Sequence, residues 1–341
     1  MKPNYPVERK GGISQQPYEA RTKIQRTCVK SLLKSAGVKL EGLRTTVDLG
    51  CRNGDTTLGI LEVTSDKTRI IGVEEYKEAL LIAKAKFGVA SSDEIKQITG
   101  LLGEMPDGFL DSFEEDTKPF RKRAAFVNSP VEGMPTTIAD RADLIVGFQI
   151  LHWLNAGDNG LPAVETMKAI NESLAAGGIF LSGTSTAFIA ISPDEEIDGK
   201  KKSEYSIDGH PFVKTVYEKI AGIVSKITGH EPQPVTEKPP LSMDSLMEVF
   251  ENAGFKDIKT GAFLVTSGRE EVIREVVKLR PEHQGRLNGI DSGELREDII
   301  DLAIESANNE CDLLAGAGKG DPRLVETNIW DAVPYIMATK K

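Results

Sequence analysis

Apolar residues in this chain alternate between short continuous runs and longer stretches where they recur three and four residues apart. The continuous runs are Thr45-Thr46-Val47-Asp48-Leu49-Gly50, Arg69-Ile70-Ile71-Gly72-Val73-Glu74, Ala124-Ala125-Phe126-Val127, Asp143-Leu144-Ile145-Val146-Gly147-Phe148 and Ile179-Phe180-Leu181-Ser182-Gly183. Their brevity and β-branched content predict strands buried on both faces, as in parallel sheets. The stretches Thr57–Val63, Lys77–Phe87 and Leu161–Leu174 between them read as helices. Leu161–Leu174 is expected to stop at Gly177-Gly178, where glycine suits a left-handed cap. Another helix, Tyr18–Ala36, precedes the first strand, with Ile24, Cys28, Leu32 and Leu33 at helical spacing. Strand and helix in alternation imply right-handed crossovers and an α/β, doubly wound, mostly parallel sheet.

Two segments interrupt this rhythm after the fifth strand. Residues 186–241 are rich in charge, proline and glycine around one helix, Phe212–Ile227, and residues 270–325 read as a second helical insertion. Between them lie a helix at Ser242–Ala253, which Ser242 can cap, and a sixth strand at Phe255–Val265. A seventh strand is expected at Trp330–Thr339, and its Pro334 belongs at an edge or a bulge. Ser91–Arg123 reads as one or two helices ahead of the third strand. The expected plan is a polar arm over residues 1–17 and one seven-stranded domain over 18–341. Its helical insertions form a cap and carry acceptor choice, as loops on a rigid scaffold do.

In an open α/β sheet, ligands sit beyond the carboxyl ends of the strands. Three segments fall there. Asp48-Leu49-Gly50-Cys51-Arg52-Asn53-Gly54-Asp55 offers glycines at which backbone can turn and approach a ligand. Glu74, closing the second strand, offers a carboxylate to the vicinal hydroxyls of a ribose. Gln149-Ile150-Leu151-His152-Trp153-Leu154 leaves the fourth strand with polar and aromatic side chains suited to chemistry. Each also has a purely structural reading. Gly-rich turns occur without cofactors, Glu74 beside Glu75 suits a helix start, and His152 beside Trp153 can be a packed pair.

The order of these segments resembles the class I S-adenosylmethionine-dependent methyltransferases of small-molecule type, over most of residues 18–266. Asp48-Leu49-Gly50-Cys51-x-x-Gly54 is similar to the first motif, which cradles the methionine part of the cofactor, and Glu74 matches the ribose-binding acid. Asp143–Val146 with Leu151-His152-Trp153-Leu154 is similar to the fourth motif. Leu174-Ala175-Ala176-Gly177-Gly178-Ile179-Phe180 and Ala253-Gly254-Phe255 resemble later family segments. Two departures stand out. Arg52 occupies a position where the family usually has glycine, and its guanidinium suits the methionine carboxylate. Pro130 follows the third strand where an acid often contacts adenine, leaving Ser129 and the Val131 backbone for that role. The resemblance also implies Gln149 as a cofactor residue and Tyr18 and Arg21 as lid residues over the cofactor. An exposed amphipathic helix explains Tyr18 and Arg21 almost as well.

Methyl transfer from a sulfonium needs alignment and desolvation more than acid–base work. A neutral oxygen acceptor gains from a nearby base, and His152 is the candidate. Trp153 suits a wall of the acceptor pocket, and His210, in a loop, suits an acceptor contact or plain surface. The three cysteines (Cys28, Cys51 and Cys311) are few and distant, with neither disulfide nor zinc spacing. They point to a reducing, cytoplasmic setting and no metal. A net charge of -10 argues against a nucleic-acid partner, and Arg121-Lys122-Arg123 and Lys200-Lys201-Lys202 read as solvated turns. No apolar run is long enough to span a membrane, and nothing demands or forbids a homodimer. The expected activity is O- or N-methylation of a small molecule. Gly50-x-x-x-Gly54 lacks the turn that a nicotinamide dehydrogenase needs, and the fourth-strand exit lacks the paired acids of a polyamine synthase. A non-catalytic, methyltransferase-like binding protein is the alternative, with Arg52 and Pro130 in its favour.

Overall fold

The computed structural model describes residues 15–102, 116–138, 141–151, 154, 161–184, 196–197, 200–201, 210–232, 242–268, 272, 286–287, 289–319, 323 and 328–341. Side chains of residues 15–24, 99–102, 196, 200–201, 267, 315 and 328–330 lie outside the description. The apolar runs form strands β1 (Thr45–Leu49), β2 (Arg69–Glu74), β3 (Ala124–Asn128), β4 (Ala142–Phe148) and β5 (Leu174–Gly183). The hairpin strands β6 (Glu196–Ile197) and β7 (Lys200–Lys201) stand apart from them. β8 (Phe255–Gly268) and β9 (Asn328–Lys340) complete a seven-stranded sheet of order β3-β2-β1-β4-β5-β9-β8. β1 pairs in parallel with β2 and β4, β2 with β3, and β4 with β5, whereas β5 and β9 run antiparallel. The strand order reverses between β1 and β4, which places a topological switch point at their carboxyl ends.

The chain divides into two compact units. The first comprises Met1–Thr184, Asp244–Thr260 and Tyr335–Lys341, and the second Ser185–Met243 and Gly261–Pro334. In the first unit, α1 (Gln15–Ser35) packs on α2 (Asp55–Val63) at Gly59. A Cβ on Gly59 would lie 2.5 Å from Val29 Cγ1 and 2.8 Å from the Arg26 carbonyl oxygen, so the helices touch backbone to backbone. Arg26 and Lys30 pair with Glu62 across the same contact. α3 (Lys77–Lys86) and α4 (Ser92–Leu102) follow β2. The short α5 (Met134–Thr137) follows β3, and α6 (Val164–Ser173) follows β4. Further along, α8 (Met243–Asn252) brings Phe250 against Phe180 and Phe255, with centroids 5.7 and 5.4 Å away.

In the second unit, α7 (Pro211–Thr228) packs on α9 (Gly293–Gly316) around a core of its own. Phe212, Val216 and Ile220 meet Ile300, Ala303 and Ala307 there, all but excluded from solvent, and Lys219 pairs with Glu310 at the margin. Among the described residues, no helix is long and apolar enough to cross a membrane.

Two sequence expectations are corrected, those at Gly177 and Arg123. Helix α6 ends at Ser173, not at the glycine pair, and Gly177 (φ 72) lies inside β5, where the register with β4 shifts between Ala142 and Leu144. Its left-handed conformation serves a strand irregularity, as glycine does in bulges. Strand β9 lies between β5 and β8, and Pro334 stands one residue before the ladder with β5 begins at Tyr335, so its missing N–H costs that ladder no hydrogen bond. Arg123 is no solvated turn. Its half-buried guanidinium donates to the carbonyls of Leu61, Thr64 and Thr68 and to Thr64 Oγ1.

Candidate functional site at the carboxyl ends of strands β1 to β4

Past Leu49 the chain turns through three left-handed residues, Gly50 (φ 72), Arg52 (φ 44) and Gly54 (φ 85), before α2 starts at Asp55. The Gly54 N–H donates to the Cys51 carbonyl at 2.8 Å, closing the turn. The Gly50 and Cys51 N–H groups both donate to the Val73 carbonyl, at 2.8 and 3.1 Å, tying the turn to β2. Gly54 needs its glycine twice over: for its backbone conformation and because a Cβ there would lie 3.0 Å from Phe87 Cε2. A Cβ on Gly50 would meet Ile150 Cγ2 at 2.6 Å. Gly50 therefore makes room for Ile150 as well as for anything above the turn. Arg52 is exposed, in a conformation that costs an L-residue roughly 1–2 kcal/mol. A preference for glycine at this position thus has a backbone cause.

Asp48 reaches under the turn from β1. Its Oδ2 accepts Thr56 Oγ1 at 2.7 Å and Thr57 Oγ1 at 2.5 Å from the first turn of α2. Its Oδ1 is buried without a hydrogen-bond partner. Burial pushes the carboxyl up to about 6 against the two hydroxyl hydrogen bonds, and Glu74 and Asp55 push the same way. Asp55 pairs with Lys86 at the end of α3, both buried. Burial holds the Lys86 ammonium below its usual range, and Asp55 counters that effect. Cys51 is buried beneath the turn, and a Cβ on Gly72 would lie 2.9 Å from its sulfur. Burial pushes the Cys51 thiol up, so Cys51 offers backbone rather than nucleophile.

Glu74, 5% exposed, closes β2. Its Oε2 accepts the Arg52 N–H at 3.0 Å and its Oε1 the Tyr76 N–H at 2.9 Å. Asn128, at the end of β3, donates to the carbonyls of Glu74 and Glu75, both at 2.8 Å. Ser129 donates its N–H to the Glu74 carbonyl at 3.2 Å and its hydroxyl to the Pro130 carbonyl at 2.9 Å. Val131 opens a 3-10 turn, Val131–Gly133, in which Glu132 accepts Thr166 Oγ1 of α6 at 2.8 Å. At the exit of β4, Gln149 is half-buried in a left-handed conformation (φ 59), and its N–H donates to the Gly183 carbonyl at 2.7 Å.

The sheet thus brings Asp48, Gly50, Cys51, Arg52, Gly54, Glu74, Ser129, Val131 and Gln149 to one edge. His152 and Trp153 lie outside the described residues, as do the side chains of Tyr18 and Arg21 on α1. His210 belongs to the second unit, buried at the N-cap of α7, so it is not plain surface. Sequence reasoning assigned no role to Asn128, Thr56, Thr57 or Ile150. Position alone signals Asn128 and the threonines, which stand at a strand end and a helix start. Nothing in the sequence signals that Ile150 folds back onto Gly50.

No protein-family model matches the sequence, and no curated protein sequence matches it. Among solved structures, the chain is similar to a cyclopropane-fatty-acyl-phospholipid synthase-like protein from Lactobacillus casei, at 13% identity and TM-score 0.45, over 93% of this chain and 91% of that one. It is similar to a SAM dependent methyltransferase from Archaeoglobus fulgidus at 15% identity and TM-score 0.39, over 95% and 98% of the two chains. It is also similar to phosphoethanolamine N-methyltransferase 2 of Haemonchus contortus, at 11% identity and TM-score 0.41. That last structure holds phosphomonomethylethanolamine and S-adenosylhomocysteine; the match covers 92% of this chain but 52% of that one. The strand order and directions of the sheet carry the assignment of the fold, not these similarities. By them, the chain has the Rossmann-like α/β fold of class I methyltransferases.

Proposed function

We propose that the chain is an S-adenosylmethionine-dependent methyltransferase that methylates oxygen or nitrogen on a small molecule. The observation that carries this reading is the meeting of the β1 turn with the Glu74 carboxylate at the switch point of the sheet. The residues there fit the cofactor. A carboxylate oxygen has about two acceptor positions, and each oxygen of Glu74 takes one backbone N–H. One position on each remains for the two hydroxyls of a ribose. The Arg52 N–H holds the carboxylate against the turn, so it is oriented before any ligand arrives. The Arg52 guanidinium, exposed above the same turn, suits the methionine carboxylate. Ser129 and the backbone at Val131 would face adenine, and Gln149 would border the methionine side.

When bound, the cofactor supplies a methyl group already activated by the sulfonium charge. The chain then has to bind, align and desolvate, and His152 would accept the acceptor's proton where the nucleophile is a neutral hydroxyl. In this reading Trp153 lines the acceptor side, and Tyr18 and Arg21 close over the cofactor. The partner is a small molecule in the cytoplasm, not nucleic acid or membrane; a homodimer is compatible with the reading.

A non-catalytic binding protein of the same fold is the second reading, favoured by Arg52 at the strained position. Calorimetric titration with S-adenosylmethionine and S-adenosylhomocysteine tests both, on wild type, Glu74→Ala and Arg52→Gly. Micromolar binding that is lost in Glu74→Ala supports the cofactor site, and turnover on a panel of hydroxyl, carboxyl and amine acceptors then separates enzyme from binder. A folded wild type that binds neither compound refutes the proposal.

A further inference from the structure

Ile150 stands directly after the left-handed Gln149 and is 7% exposed. It does not continue along the strand direction. Its Cγ2 occupies the space where a Cβ on Gly50 would sit, 2.6 Å away. A Cβ on Gly147 would collide with its Cδ1 and would lie 2.7 Å from its Cγ1. Gly50 directly follows β1 and Gly147 lies in β4, neighbours in the sheet through the Asp48–Val146 pairing. Two adjacent strands thus each present a glycine to one side chain, and the notch they form is filled by Ile150. Gln149 must enter the left-handed region to turn Ile150 back into that notch, and its N–H is fixed to the Gly183 carbonyl.

We infer that Ile150 is a positioning residue for the cofactor site, an inference that rests on the methyltransferase reading. Seated on both glycines, it fixes the height of the Gly50 turn relative to the β4 exit. It thereby sets the distance between the two sides of the cleft, the turn that holds the methionine part and the Gln149 side. Binding energy in such a cleft depends on sub-ångström placement of backbone that has no side chain to adjust. The notch also gives Gly147 a purpose that its extended position in a buried strand does not otherwise supply.

Four variants test this: Ile150→Ala, Gly147→Ala, the double variant Gly147→Ala/Ile150→Ala, and Ile145→Ala as a control. Ile145 lies in β4 with Gly147 and is fully buried. Thermal denaturation and calorimetric affinity for S-adenosylhomocysteine are read on each. The expected result is similar melting temperatures in Ile150→Ala and Ile145→Ala, with affinity lowered about tenfold or more only in Ile150→Ala. Gly147→Ala is expected to lose both stability and affinity, and the double variant to regain part of each because the added methyl fills the vacated notch. Equal affinities in Ile150→Ala and Ile145→Ala, or no recovery in the double variant, overturn the inference while leaving the cofactor site standing. A wild type that is folded and does not bind S-adenosylhomocysteine overturns the cofactor reading first and this inference with it.

Discussion

Asp48 is a carboxyl held in the interior at a cost, and the size of that cost follows from its surroundings. Burial raises it from 3.8 to about 6 even though two threonine hydroxyls donate to it. At about 1.4 kcal/mol per pKa unit, that difference is worth roughly 3 kcal/mol. The sign is unfavourable to the fold above the pKa. Between about pH 4 and pH 6 the folded chain holds a proton that the unfolded chain has released, so stability falls as pH rises. Below pH 4 both states are protonated and the penalty vanishes; above pH 6 it is fully present. Asp48→Asn keeps an oxygen for Thr56 and Thr57 and removes the charge. Its amide nitrogen takes the place of Oδ1, which has no hydrogen-bond partner to lose. The expected outcome is a variant about 1–3 kcal/mol more stable than wild type at pH 7.5, converging on wild type at pH 4. Urea denaturation across that pH range measures it. A variant less stable at pH 7.5, or an offset independent of pH, would refute the reasoning. If the proposed site is correct, the stabilised variant binds S-adenosylhomocysteine more weakly.

Other expectations follow from single contacts. Gly59→Ala and Gly222→Ala make the same change in two helices and should differ in sign. The first drives a methyl into the Arg26 carbonyl and should cost about 1–2 kcal/mol net of helix propensity, whereas the second meets nothing within 4 Å and should gain up to about 1 kcal/mol. Thermal melts of the pair suffice to check this. Arg52→Gly should raise stability by about 1 kcal/mol by relieving the left-handed strain; a loss of stability would show that the guanidinium supports the fold. Lys86→Met leaves Asp55 buried without its counter-ion and should cost about 3–5 kcal/mol in chemical denaturation, most of it regained in Asp55→Leu/Lys86→Met. A double variant as unstable as the single one would contradict that account.

What was legible in the sequence is what local pattern controls. Strands β1, β2, β4 and β5 are largely buried apolar runs in parallel register with a half-buried β3, and the ends of β1, β2 and β4 carry Gly50, Glu74 and Gln149 where strand order alone puts them. The misreadings share another cause. Gly177 looked like a helix cap because a left-handed glycine has the same sequence signature in a bulge, and only the pairing with β4 separates the two. Arg123 read as solvated because its four acceptors lie far away in the chain, at residues 61–68. The seat of Ile150 on two glycines from different strands is invisible in sequence for the same reason.

The place of β9 bears on how the chain is made. It follows the other sheet strands in synthesis, yet it lies between β5 and β8. Until it arrives, β5 and β8 each present a row of unpaired backbone groups, the template on which foreign strands add. A nascent or truncated chain lacking β9 therefore exposes two adhesive edges in place of two closed ladders. Among the strands of this sheet β9 is the last in chain order, so the interval before it pairs is when these two edges are open to other copies of the chain.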